Sequence, residues 1–470
     1  MTAMSSHPAP KPSRAPSSQV PGKGPAKGST PTPTIIRGAS KEDRDLTRLL
    51  AILFMGLAHL TVLRQRVKGA FFALIEVLFI LAIPSLVQRL SNLVTLGEQN
   101  LSVPVMERDN SMFMLIDGVL GVAVILVFAT IYAISVRSAL QDADALALRP
   151  APTARQQVES ITSRAFPTIG LMPMLGLILF FVVVPLVFSA AVAFTNYSAP
   201  NNIPPANTVD WVGLETFKDL LGGNALWTGA LVRVFGWTLV WAIAATITCY
   251  FGGMLIAVIL QESKIRIKPV FRAIFILPYA VPAVITMLVW RNMLNGAFGA
   301  VNKVLLDWGI IDAAIPWLSD PLLAKFVAVA INLWAGFPYF MLLTLGAMTA
   351  ISPDIKEAAE LDGASKVQQF RRITLPLVLY QTAPLLIMSF AANFNNFGAI
   401  FFLTGGGPTV SDTTQTGAGG TDIMVTWIYS LTIDLQKYNY GAALAVMIFL
   451  VLAPVAIMQF RRTKSFKGEL

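Results

Sequence analysis

Runs of apolar residues separated by short polar loops set the pattern of this chain. Eight runs are long enough to cross about 30 Å of hydrocarbon as a helix: 70–88, 112–136, 170–195, 234–260, 271–290, 325–346, 379–403 and 440–460. A shorter apolar stretch, Leu49 to Leu63, has basic residues on both sides, Lys41, Arg44 and Arg48 before it and Arg64, Arg66 and Lys68 after. Spanning would put one basic cluster outside, so an interfacial or re-entrant helix is expected there. Residues 1–40 are rich in Pro, Ser, Gly, Lys and Thr, with almost nothing to bury, so a disordered tail is expected. No early apolar core with a small-residue cleavage site follows from it, which argues against a cleaved signal peptide. The pattern predicts an all-α polytopic membrane protein of about eight transmembrane helices. It divides into a tail at 1–40, an amphipathic segment at 41–69, two helices and a linker at 70–165, a six-helix core at 166–460 and a basic tail at 461–470.

Composition agrees: of 470 residues 55% are hydrophobic and 13% charged, with a mean hydropathy of +0.65. The net charge of +9 would suit nucleic acid, but the basic residues collect in short loops and tails beside apolar runs, as positive-inside topology requires. With a cytoplasmic N-terminus, the loop carrying Lys264, Arg266 and Lys268 and the tail with Arg461, Arg462 and Lys464 both fall inside. The loop 196–228, with Asp210, Glu215 and Asp219 against Lys218, falls outside, so both termini are expected in the cytoplasm. A lone Cys249 excludes an intrachain disulfide and a cysteine metal cluster, and His7 and His59 are too few and too distant for a zinc site. Glu76, Asp117, Arg233 and Arg272 lie near the ends of apolar runs, where snorkelling accounts for them. The middles of the runs are nearly free of ionisable groups, which argues against an ion-driven carrier with a carboxylate relay.

Two of the runs carry polar stripes. In NLWAGFPYF, Asn332, Ala335, Gly336 and Tyr339 stand at offsets 0, 3, 4 and 7, one face of a helix. In SFAANFNNF, Ser389, Ala392, Asn393 and Asn396 repeat those offsets. Amides and hydroxyls do not face lipid cheaply, so both stripes should turn to the bundle interior, either as glue between helices or as the lining of a cavity. A cavity of neutral amides and a phenol suits a polyol or sugar and holds an ion poorly. Pro338 and Pro384 are expected to bend their helices. Trp334, Phe337, Phe394 and Phe397 are read as packing residues.

Between these two runs lies a polar stretch, Ser352 to Pro376. Ser352 can cap a helix, Pro353 suits its first position, and Asp354 and Glu357 favour the positive end of the helix dipole. Gly363 is a natural stop, and Ser365 can cap a second helix with Val367, Phe370 and Ile373 on one side. A helix, a glycine bend and a helix make a knob outside the bilayer, suited to docking. No G-x-x-x-x-G-K-[ST] phosphate loop, G-x-S-x-G or H-E-x-x-H occurs, and no pair of carboxylates recommends itself as a catalytic dyad. The Gly405-Gly406-Gly407-Pro408 run reads as a turn. A secondary sugar carrier and a membrane enzyme acting on lipid-linked sugars stand as alternatives; the knob disfavours the first and the missing carboxylates or metal motif the second.

The spacing of Glu357-Ala358-Ala359, Gly363 and Ile373-x-Leu375-Pro376 resembles the EAA loop of the permease subunits of ABC importers. NLWAGFPY before it and SFAANFNNF and LTGGGP after it resemble the larger permease of maltose-type sugar importers, strongly over about 230–460 and more weakly before. The resemblance implies a permease in the bacterial inner membrane, not an enzyme, carrying maltose, maltodextrin or a similar sugar. It implies three partners besides membrane lipid: a second homologous permease, a dimer of cytoplasmic ATP-binding subunits, and an extracytoplasmic sugar-binding protein, with no nucleic acid. This chain then binds no cofactor, ATP and Mg being held by the ATPase. The family's sugar contacts fall on Asn332, Gly336, Tyr339, Ser389, Asn393 and Asn396, and its coupling loop on Glu357, Ala358, Ala359, Asp362, Gly363, Ile373, Leu375 and Pro376. Two departures stand out: Ala335 and Ala392 replace bulkier residues of the maltose pattern, and only about 35 residues, 196–228, occupy the place of a large folded insertion.

Overall fold

A computed structural model describes residues 41–146, 166–263 and 266–461; the expected tail at 1–40, much of the linker and the last nine residues lie outside them. The described residues are helical, with two isolated β-bridges and no longer strand. Among the described residues, seven helices are long and apolar enough to cross a membrane, and an eighth candidate is a pair bent by 86°. The chain is thus an all-α polytopic membrane protein.

The chain forms two compact units, and the helices α3 (Arg66–Thr95) and α4 (Ser111–Leu146) contribute to both. The first unit also contains α1 (Lys41–Leu53) and α2 (Leu57–Thr61), both far too short to span. Its small core is made of Ala51, Ala58, Leu63, Ala139 and Ala143. Polar ties close it: Lys68 donates to Asp142 at 2.7 Å, Arg44 to Asp144 at 3.3 Å, and the Tyr132 hydroxyl to the Ile52 carbonyl at 2.5 Å. Glu76 does not snorkel. It is 9% exposed and accepts the Met55 N–H, one of the orphan groups where the chain breaks between α1 and α2.

The second unit is built on α7 (Ala225–Glu262). Before it come α5 (Phe166–Ile178) and α6 (Val184–Val192), joined by a π turn at Leu179–Val183. After it come the bent pair α8 (Lys268–Ala280) and α9 (Ala283–Met293), then α10 (Pro321–Thr349). Asn224 caps α7, accepting from Leu226 N at 3.0 Å, and small residues along the helix admit close neighbours. At Gly253 a Cβ would lie 2.5 Å from Phe337 O and 2.6 Å from Met341 N, so backbone touches backbone where α7 meets α10. Burial on α7 recurs at Val234, Thr238, Trp241, Ala245, Cys249 and Met254, three to five residues apart, which faces one side of the helix to the core. The remaining long helices are α13 (Leu375–Phe394) and α16 (Tyr438–Arg461).

The structure departs from two expected spans. The run 271–290 breaks at Val281, whose φ −82°, ψ 133° is the extended geometry that a following proline, Pro282, imposes. The run 379–403 breaks at Asn395, ending α13 and starting α14 (Phe397–Thr404). Snorkelling also gives way at Arg233, which donates to Asp412 at 2.7 Å and to the carbonyls of Gly419 and Ala418 at 2.7 and 3.1 Å, and at Asp117, paired with Arg89 at 2.9 Å. Arg233 thereby pins the loop between α14 and α15 (Met424–Tyr429). The glycine run is more than a turn within that loop: a Cβ on Gly406 would sit on the Asp422 carboxylate. Thr421 N donates to Gly406 O at 3.0 Å and Gly420 N to Pro408 O at 2.7 Å.

Candidate functional site

Helices α8, α9, α10, α13 and α14 border, together with α7, an open cavity of about 810 Å³, within the usual range for small-molecule sites. All six residues of the two stripes that were read as sugar contacts line it, together with Ala335 and Ala392. Asn332, Gly336 and Tyr339 come from α10, and Ser389 and Asn393 from α13. Asn396 arrives differently from the expected helix face. Its side chain caps α14, accepting from Ala399 N at 3.2 Å, so the cap occupies its oxygen and leaves its amide N–H groups as donors.

The helix α7 orients the other two amides. Asn332, 9% exposed, donates to Cys249 Sγ at 3.4 Å, while Cys249 donates to the Asn332 carbonyl at 3.3 Å. Asn393 donates to Thr246 Oγ1 at 3.0 Å and to Ser389 Oγ at 3.5 Å, and Trp241 Nε1 donates to the backbone carbonyl of Asn393 at 3.0 Å. With its N–H groups engaged, Asn393 presents an acceptor oxygen. Acceptors and donors are thus both fixed around one space, as recognition of a hydroxyl, which is donor and acceptor at once, demands. Among the described residues, no Asp, Glu, Lys, Arg or His lines the cavity.

The bend between α8 and α9 forms a further wall, with Pro278, Tyr279 and Pro282. Tyr279 and Tyr339 stand with ring centres 6.2 Å apart and rings 33° from parallel, both partly exposed, an aromatic surface suited to the C–H face of a sugar ring. Tyr279, Cys249 and Thr246 escape a search for polar stripes, because Tyr279 sits in an apolar run and the others on a helix read as featureless. The prolines flanking Tyr279 are the signal that marks the first. Trp334, Phe337, Phe394 and Phe397 do not line the cavity and pack instead, Trp334 edge-on to Trp290 and Phe337 edge-on to Phe275.

The knob forms as its capping residues dictate. Ser352 accepts from Asp354 N at 3.3 Å and opens α11 (Pro353–Leu361). Gly363 follows at φ +76°, where a side chain would be strained although the space around it is open. Ser365 and Gln368 then form a capping box for α12 (Lys366–Gln369), which runs through a π turn at Phe370–Thr374 into α13. Ala359 is buried, while Glu357, Ala358 and Asp362 are exposed and Leu361 is 89% exposed. Ile373 is half-buried, Leu375 packs on the core beside Phe370, and Pro376 opens α13 from an exposed position. Lys366 reaches Glu262 at the end of α7 at 3.2 Å. Apolar side chains of this kind left bare on a polar knob are the mark of a contact surface.

Residues 250–462 match the family model described as binding-protein-dependent transport system inner membrane component. The maltodextrin transport system permease protein MalC of Streptococcus pneumoniae is 36% identical over 420 residues, 86% of this chain and 93% of that protein. The galactooligosaccharides transport system permease protein GanP of Bacillus subtilis is 38% identical over 363 residues, 77% of this chain and 85% of that one. The chain belongs to this family of binding-protein-dependent permeases. It is a multi-pass permease subunit of a sugar ABC importer in the inner membrane, a transport subunit. A maltose/maltodextrin permease, MalF of Vibrio vulnificus, is 36% identical over 267 residues, and this permease spans half of that longer relative. A crystal structure of a bacterial ABC transporter involved in the import of the acidic polysaccharide alginate shares the fold, with a TM-score of 0.53 at 22% identity, covering 65% of this permease and 99% of that chain.

Proposed function

We propose that this permease carries a neutral di- or oligosaccharide of the maltodextrin type, held on its way by Asn332, Gly336, Tyr339, Ser389, Asn393 and Asn396. The observation that carries this is the convergence of all six on one cavity whose described lining has no Asp, Glu, Lys, Arg or His and is set with oriented amides and two tyrosines. The S. pneumoniae relative, matched over 93% of its length, supports maltodextrin; the GanP relative favours a second sugar, a galacto-oligosaccharide. Ala335 and Ala392 on the wall leave room for a longer or broader chain than bulky residues would.

Coupling follows from the knob. An ATPase dimer holding ATP and Mg engages Glu357, Ala358, Ala359, Asp362 and Gly363 from the cytoplasm, and Ile373, Leu375 and Pro376 carry its movement into α13. A second permease completes the pathway, a sugar-loaded binding protein docks on the opposite side, and both termini lie in the cytoplasm. Closure of the ATPase then acts as a rigid-body switch on α10 and α13, two of the helices that line the cavity, because the knob joins α10 directly to α13. Uptake competition with maltose, maltotriose, maltotetraose, a galacto-oligosaccharide and an acidic oligosaccharide tests the substrate. Maltodextrins should compete and the galacto-oligosaccharide should not. Competition by neither class, with an acidic sugar competing instead, would overturn the neutral-sugar reading.

A further inference from the structure

The helices α7 and α10 leave a second slot, of about 520 Å³, nearer the loop that Arg233 pins. Its charges lie at one end. Lys325 is in the second turn of α10, with its ammonium 4.9 Å over the Trp237 ring, and Arg233 stands beside it. Arg233 is neutralised by Asp412 at 2.7 Å, whereas Lys325 has no ion pair among the described residues, so the mouth carries one uncompensated positive charge. Below the mouth the slot is apolar, lined by Phe326, Val329, Val240 and Ala244. From Trp237, under the Lys325 ammonium, to Ala244 is seven residues, about 10 Å of helix, which lies within one leaflet of a hydrocarbon core of about 30 Å. Gly236 opens the slot, since a Cβ there would meet nothing within 4 Å.

We propose that this slot seats an anionic phospholipid, with its phosphate on Lys325 and one acyl chain laid along Val240, Ala244 and Val329. An apolar helix packed on the slot would bury the Lys325 ammonium without a counter-charge, which is costly in a low dielectric. A phosphodiester supplies that charge, the upper part of an acyl chain fills the remainder, and Trp237 sits at the headgroup level where its ring is at home. The assignment is independent of which sugar is carried.

Native mass spectrometry of the assembled transporter, purified in mild detergent and titrated with phosphatidylglycerol or phosphatidylcholine, tests it. Wild type should retain phosphatidylglycerol about fivefold better, the factor given by about 1 kcal/mol per basic residue near an anionic headgroup. Lys325→Gln should abolish the preference and Lys325→Arg keep it, which separates charge from folding. Gly236→Leu, entering open space, should lower retention of both lipids at unchanged Tm. A wild type without preference, a preference that survives Lys325→Gln, or a crosslink from a cysteine introduced by Gly236→Cys to another polypeptide would each overturn the proposal.

Discussion

At the scale of single residues, the cavity depends on atoms that never need to touch a sugar. A Cβ added at Gly336 would meet Cys249 Sγ at 2.8 Å, so Gly336→Ala forces the thiol that tethers Asn332 to move. Overpacking of this kind costs about 1–3 kcal/mol. We expect Gly336→Ala to lower both Tm and uptake, and Cys249→Ala in the same chain to restore part of the Tm, a coupling that two independent sites would not show. An unchanged Tm in the single variant would refute the contact. Asp422 makes a second prediction. Burial pushes its carboxyl up to about 6, against the opposing pull of the Thr426 hydroxyl, the Gly419 N–H and the Arg233 charge. Unfolded, it titrates near 3.8, so between 3.8 and about 6 the folded loop holds more protons than the unfolded one. Stability is therefore fullest below about 4, declines as pH rises to about 6 and is level above. Limited proteolysis of 405–423 should be slower at pH 5 than at pH 7, and Asp422→Asn should remove most of that difference; an equal pH effect in the variant would contradict it.

Among the elements, those that a single local rule specifies were legible in the sequence. Ser352, Gly363 and Ser365 fix the knob through capping and backbone freedom alone, and the structure forms it at those residues. Hydropathy likewise marks the spans. Breaks inside apolar runs were lost, because hydropathy counts side chains and is blind to backbone geometry. Val281 before Pro282 carried a local signal, and the Asn393 to Asn396 cluster carried a weaker one, since asparagine competes with the helix for its own backbone groups. The partners that orient the cavity amides, Thr246 and Cys249, could not be read, since they depend on how α7 packs rather than on any pattern within it. The loop pinned by Arg233 was also illegible, its bond to Asp412 joining residues 179 apart. Removing one member of a partly buried ion pair leaves the other charge desolvated without a partner, which destabilises the segment that holds it. Arg233→Ala should therefore loosen 405–423 to proteolysis, and the double variant Arg233→Ala, Asp412→Ala should be less labile than the single. Equal protection in wild type and Arg233→Ala would show that the pin is dispensable.

Across the whole molecule, one mechanical link stands out: the knob that would sense the ATPase is continuous with α10 and α13, which carry Asn332 and Asn393. Gly363 holds φ +76° in open, exposed space, so Gly363→Asp should leave the protein in the membrane yet reduce uptake at least tenfold by spoiling the bend at a docking surface. Normal uptake by a stably inserted variant would remove the coupling role. The proposed path of the sugar runs through the cavity bounded by Asn332, Tyr339 and Asn393. It is tested by uptake of labelled maltotriose in cells carrying Asn393→Ala, normalised to permease in the membrane, alongside the substrate-independent ATPase activity of the purified assembly. Uptake should fall at least tenfold with that ATPase activity retained. Uptake equal to wild type would contradict it and leave the amide stripe as helix packing.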